Sequence, residues 1–159
     1  MKMRIIALGH RMPDWVNRGV EEYTRRMPRD FPLNVIQLKP EPRSDNAGDV
    51  ARSRVLEVEA QRVQEALGEG CLCVVLDETG RQVNTRDLAQ RLSQWREQVR
   101  EVAFVIGSAD GTAPILKKKA HWLWSLSALT LPHGLVRVVL AEQLYRAVSI
   151  LNHHPYHRD

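Results

Sequence analysis

Hydrophobic and polar positions along the chain change period repeatedly, and each change marks an element. Residues 3–8 (MRIIAL) are an almost unbroken apolar run, which predicts a short buried strand ended by Gly9. Pro13 suits the first turn of a helix. Val16, Val20, Tyr23 and Met27 then recur at helical spacing until Pro28 and Pro32 stop it. Residues 33–38 (LNVIQL) alternate as a strand, and the Pro-rich polar stretch 39–49 predicts a long loop. A second helix is expected over 50–67, with Val55, Val63 and Leu67 among its apolar positions and Gly68 after it.

Residues 71–76 (CLCVVL) have the continuous apolar character of a strand buried on both faces. Asn84 or Thr85 is the expected cap of a third helix carrying Leu88, Leu92 and Trp95. Residues 102–106 (VAFVI) predict another buried strand, running into the loop Gly107 to Gly111. Pro114 opens a short helix through Lys117, Lys118 and Lys119. Residues 124–131 (WSLSALTL) alternate and predict a fifth strand, with Leu126 and Leu129 as core positions and Pro132 at its end. A last helix is expected over 136–151. Strict β–α alternation with short connections argues an α/β fold, a mostly parallel sheet flanked by helices. Ligands of such sheets sit at the carboxyl ends of the strands. Those ends fall at 9–12, 39–48, 77–82, 107–112 and 132–134.

Composition narrows the class. With 159 residues, 43% hydrophobic and 26% charged, the chain reads as one soluble domain, 1–159, and excludes disorder, collagen-like repeats and coiled coil. No apolar run is long enough for a membrane span, and the stretch at the start is too short for a signal peptide. Two cysteines in such a chain point to a reducing cytoplasm. The net charge of +4 is unevenly spread: +3 over residues 1–30, −2 over 31–106 and +3 over 107–159. Two basic ends around an acidic middle suit a polyanion such as RNA, or scattered solubilising charge.

Several groups are candidates for chemistry. The loop Gly107-Ser108-Ala109-Asp110-Gly111 lets backbone groups approach a ligand, but it has neither dinucleotide nor nucleotide-triphosphate spacing. Ser125 and Ser127 sit at small polar positions beside it, and a strand ended by Pro132 leaves backbone groups open to a ligand. Arg137 is placed to face a phosphate or carboxylate, and Glu142 and Arg146 form an i,i+4 pair. His153, His154 and His157 lack partners at metal-ligand spacing, so no metal is expected. Cys71 and Cys73 read as core filling. Trp122 and Trp124 read as core packing or, alternatively, as stacking surface. Asp77 and Glu78 are adjacent and point apart, which excludes a glycosidase pair.

The long motifs Trp124 to His133 (WSLSALTLPH), Leu135 to Val138, Leu140 to Ala147 (LAEQLYRA) and His154 to Arg158 (HPYHR) resemble the RlmH family. Met12 to Val16, Glu22 to Arg26 and Val105 to Gly107 do so as well, and the likeness covers essentially the whole chain. The resemblance implies a SPOUT-type α/β domain with a C-terminal trefoil knot, working as a homodimer. It implies an S-adenosylmethionine-dependent methyltransferase acting on the N3 of a pseudouridine in the helix 69 loop of 23S rRNA, on the assembled 70S ribosome. Carried onto this chain, the cofactor site falls on Leu76, Gly107, Ser108, Ser127, Ala128, Leu129, Thr130, Leu131 and Pro132. His157 is the candidate base, Arg158 or Arg137 the electrostatic stabiliser, and Tyr156 an orienting or stacking group.

Two positions depart from the family pattern. Ser108 stands where the family commonly has a second glycine, and His153 stands where a relative has asparagine. Two other classes remain at this point: a ribosome- or RNA-binding α/β protein without catalysis, and a small-molecule-binding domain that uses the glycine loop for nucleotides.

Overall fold

A computed structural model describes residues 1–44 and 48–158; positions 45–47 of the expected loop, and Asp159, lie outside the described residues. The elements alternate as expected: β1 (Lys2–Leu8), α1 (Asp14–Thr24), β2 (Leu33–Leu38), α2 (Asp49–Leu67), β3 (Leu72–Arg81), α3 (Thr85–Gln98), β4 (Glu101–Ile106), α4 (Pro114–Lys119), β5 (Trp122–Trp124) and α5 (His133–Leu151). The five strands form one sheet in the order β2-β1-β4-β3-β5, and every pairing is parallel. This is the predicted α/β class. The strand order is compatible with the C-terminal knot that the resemblance implies.

Period-2 alternation sorts the strand side chains into two cores. Met3, Ile5, Leu72, Val74, Val102, Phe104, Trp122 and Trp124 face one side, where α1, α3 and α5 cover them with Val16, Leu88, Leu92, Leu140 and Leu144. Ile6, Leu8, Cys73, Val75, Ala103 and Val105 face the other, beneath α2 and α4. Helices on both faces require apolar residues at every strand position, which explains the continuous runs in β3 and β4. Trp122 and Trp124 stack with ring centroids 5.1 Å apart inside the first core, so the packing alternative holds for both. Burial pushes the Cys73 thiol up to about 12, which suits an inert core residue.

Four local expectations need correction. The strand over 124–131 is not formed; β5 stops at Trp124. Ser125 Oγ donates to the Ser127 carbonyl at 2.9 Å, and Leu129 N–H donates to Ser127 Oγ at 3.0 Å. Serines that bond their own backbone compete with a ladder, and Leu129 ends 74% exposed, not in the core. Helix α1 ends at Thr24 instead of running to Met27, because the Arg26 and Met27 amides turn back on Tyr23 and Thr24. Helix α5 starts at His133 with Pro132 as its N-cap residue, so Pro132 opens a helix and ends no strand. Strand β3 runs to Arg81, with a register shift that sets both Leu76 and Arg81 opposite Trp124. The intervening residues bulge outward. Gly80 permits this: a Cβ there would lie 2.6 Å from the Trp124 carbonyl carbon.

The end of α5 explains one departure. His153 has φ 53°, its amide donates to Ile150 O, and His154 N–H reaches back to Ser149 O at 2.8 Å. This is a Schellman closure, whose left-handed position favours Gly or Asn. Replacing His153 with Gly is expected to raise stability by about 1 kcal/mol. Leu144→Ala, at a fully buried position of α5, is expected to cost about 2–5 kcal/mol. Urea denaturation of the two variants checks both signs.

Candidate functional site

The carboxyl ends of β3, β4 and β5 are neighbours in the sheet, and the segments leaving them surround a cleft of about 620 Å³. That volume is in the range of small-molecule sites. Leu76, Asp77 and Glu78 form one wall. Gly107 to Thr112 form a second, and Ser125, Leu126, Ser127, Leu129, Thr130 and Leu131 a third. Ile106, Trp124, Lys117, and His133 and Val136 of α5 complete the lining.

The glycine loop is a tight turn. Gly111 N–H donates to Ser108 O at 2.9 Å, and Gly111 takes φ 86°. A Cβ on Gly107 would lie 2.6 Å from Gly111 O, so only glycine lets the two arms of the turn close. Ser108 turns its hydroxyl away from open solvent and donates to Glu59 Oε2 at 2.6 Å. Glu59 is 1% exposed on α2, and it also accepts from the Glu41 amide at 3.0 Å. The serine that departs from the family pattern is therefore anchored from below the loop.

On the opposite wall, Lys117 pairs with Asp77 at 2.5 Å. Burial alone pushes the Asp77 carboxyl up, but the bonds from Lys117 and Thr79 outweigh it and hold the group below the ordinary aspartate range. In α5, His133 Nε2 accepts from Arg137 Nε at 2.9 Å. Burial and the Arg137 charge push the His133 imidazole down to about 4, against a smaller opposing effect of the Gly107 carbonyl. His133 is thus a neutral ring in the cleft wall at physiological pH. Arg137 is 3% exposed, donates from Nη1 to Gln37 Oε1 at 3.2 Å, and has no acceptor for Nη2 among the described residues. Burial lowers its pKa as well.

Among the sequence-derived cofactor residues, Leu76, Gly107, Ser108, Ser127, Leu129, Thr130 and Leu131 line this one cleft. Ala128 and Pro132 belong to the same segment but are not part of the lining. Tyr156, His157 and Arg158 lie away from it. The tail folds back on its own helix: Tyr156 OH donates to Glu142 Oε1 at 3.2 Å, its ring meets Tyr145 edge-on, and Arg146 sits over its face. Arg146 in turn donates from Nε and Nη2 to Glu142 Oε1, so that pair is a partly buried support for the tail, not a free surface pair. Arg137 touches the cleft only through His133.

Sequence reasoning placed Asp77 and His133 at ligand-edge strand ends without giving them a role, and it missed Trp124 and Lys117 as lining residues and Glu59 with Arg43 as supports. Glu59 did leave a signal. It is a carboxylate on the apolar side of α2, beside Leu56, Ala60 and Val63, where a charge requires a buried partner.

The pocket's chemistry is that of a binding cradle. The Ser125 amide donates to Arg81 O at 3.2 Å, beyond it residues 126–131 lie outside the named strands, and the glycine loop allows close approach. Such a set fits the polar edges of an adenosine-type cofactor. Among the described residues there is no group of three His, Cys, Asp or Glu placed to hold a metal ion, and no helix long and apolar enough to cross a membrane.

A family model described as predicted SPOUT methyltransferase matches residues 1–157. A protein of Methylobacillus flagellatus named ribosomal RNA large subunit methyltransferase H is 52% identical over 159 residues, covering 100% of both chains. Proteins of the same name from Ralstonia pickettii and Nitrosomonas eutropha are 49% and 48% identical over 158 residues, 99% of each chain. The resemblance carried by the C-terminal motifs thus holds across the full length, and the chain belongs to the SPOUT methyltransferase family.

Proposed function

We propose that this chain is a methyltransferase of large-subunit ribosomal RNA that uses S-adenosylmethionine, and that its target is the N3 of a pseudouridine in the helix 69 loop of 23S rRNA on the 70S ribosome. The observation that carries the reading is the cleft itself. In a chain about half identical to proteins named as large-subunit rRNA methyltransferases, the three carboxyl-edge segments enclose a small-molecule-sized cradle.

In this reading Leu76, Gly107, Ser108 and the 127–132 segment hold the cofactor, with Ala128 and Pro132 shaping that segment. When bound, S-adenosylmethionine supplies a sulfonium methyl group whose departure leaves a neutral thioether. The protein's task is then positioning and charge handling, not covalent catalysis. Methyl transfer to the target N3 would require that nitrogen to give up its proton. His157 takes the proton, Arg158 or Arg137 stabilises negative charge on the ring, and Tyr156 orients it.

The tail and the cleft are separate within one chain. A homodimer resolves this, with one protomer holding the cofactor and its partner presenting the tail. The basic terminal segments then face one ribosomal loop. The whole chain, 1–159, works as one domain in the bacterial cytoplasm, without a metal.

Labelled methyl transfer to ribosomes that lack the modification tests the reading, with free rRNA and separated subunits as comparisons. Incorporation into 70S particles is expected, and His157→Ala is expected to lower kcat by about 100-fold or more. No incorporation, with salt-dependent RNA binding retained, would instead leave an RNA-binding protein without catalysis. Sedimentation at working concentration is expected to show a dimer.

The His133 environment sets a pH dependence. Its folded pKa of about 4 lies below the ordinary histidine value of 6.5, so the unfolded chain binds the proton first. Its contribution is fully present above pH 6.5 and is lost as pH falls toward 4. The loss is at most about 3 kcal/mol, and less in practice because the ring is only partly buried. Urea midpoints from pH 8 to 4 are expected to show this slope, and His133→Gln is expected to flatten it.

A further inference from the structure

The glycine loop is held by a residue 65 positions away in sequence. Arg43 leaves the segment that follows β2 and reaches the turn from the side of α2. Its Nη2 donates to Ser108 Oγ at 2.6 Å and lies 3.4 Å from Glu59 Oε1. Its Nε pairs with Asp110 Oδ2 at 2.5 Å. One guanidinium therefore grips both arms of the turn that Gly111 N–H and Ser108 O close. The proton count is consistent: the single Ser108 hydroxyl proton goes to Glu59, and the oxygen accepts from Arg43.

The strap that carries Arg43 is itself tied to α2. Arg62 donates to Lys39 O at 2.8 Å and to Glu41 Oε2 at 2.5 Å, and the Glu41 amide donates to Glu59. Without Arg43, a buried carboxylate and Asp110 would face each other across Ser108 with no cation between them. Such a pair repels, and the exposed partner moves outward most easily. Outward for Asp110 is toward the cleft, because Asp110 is part of its lining.

We propose that Arg43 is a positioning residue: together with Glu59 and Ser108 it clamps the Gly107–Gly111 turn and thereby sets the shape of the cofactor cleft. The proposal rests on the reading of that cleft as the methyl-donor site. The chain's own Ser108 is part of the device, since a glycine at this position offers no side chain to either partner. A planar fork is required, because three acceptors are met at once; a lysine ammonium on a flexible stem does not span them.

Two measurements on wild type, Arg43→Ala, Arg43→Lys and Arg43→Ala/Ser108→Gly test the clamp. The first is amide hydrogen exchange without cofactor. Gly111 exchange is expected to quicken about tenfold or more in Arg43→Ala while the amides of β1 and β4 keep their wild-type rates. The second is calorimetric binding of S-adenosylmethionine. Arg43→Ala is expected to bind about tenfold more weakly, which is the loss of one charge-assisted bond, with Arg43→Lys between it and wild type. The penalty of removing Arg43 is expected to shrink in the Ser108→Gly background. In turnover, KM for the donor rises while kcat at saturation stays within about twofold.

Unchanged Gly111 exchange together with unchanged binding overturns the clamp. So does a uniform rise in exchange over all amides, which marks a global loss of stability only. If wild type itself does not bind the donor, the methyl-donor reading falls, and the exchange at Gly111 alone then decides for or against the clamp.

Discussion

Burial of both faces of a five-stranded parallel sheet is the constraint from which the remaining architecture follows. Helices α1, α3 and α5 on one face and α2 and α4 on the other cover the central strands, while the edge strand β2 keeps exposed positions such as Val35. Along the central strands the backbone groups are paired on both sides, so it is the strand ends that offer free ones there. In an all-parallel sheet those ends lie together on one edge, so loops from distant parts of the chain become neighbours. The segments after residues 76, 106 and 124 meet there because β3 stands between β4 and β5 in the sheet order.

Meeting is not enough to make a site, since such segments must also keep their shape. Each wall of the cleft has a separate means of doing so. The 77–80 bulge is held by the Asp77–Lys117 pair and by Gly80 packed against the Trp124 backbone. The 125–131 segment is held by serine hydroxyls bonded to its own backbone. The glycine loop is held from beneath by Glu59 and Arg43, while neutral His133 stands in the adjacent wall. Polar groups that would weaken a core instead fix loops at its rim, where each has a partner.

The fold was legible in the sequence because burial on both faces writes itself as continuous apolar runs in β3 and β4, and because Pro13, Gly68, Asn84 and Pro114 mark helix ends. The 124–131 segment was misread as a strand because alternation of small polar and apolar residues is also the pattern of serines turning back on their own chain. Only the hydrogen bonds of Ser125 and Ser127 distinguish the two. The positions that surround the cleft could be named from motifs and strand ends. Their supports could not, because Arg43 and Glu59 act over separations of 65 and 49 residues from Ser108, where no local period reports contact. The placement of Tyr156 against Tyr145 is of the same kind: it depends on how the tail turns at His153.

In the proposed reading, one carboxyl-edge cleft, built by the segments after 76, 106 and 124, takes the methyl donor. The most direct test is a crystal structure of the chain with S-adenosylhomocysteine, which keeps the donor's adenosine and amino-acid parts. It is expected to lie against Leu76, Gly107 and the 127–131 segment, with the glycine turn still closed between Ser108 and Gly111. A ligand bound elsewhere on the protein, or in this cleft without contact to the 107–111 or 127–131 segments, would contradict it.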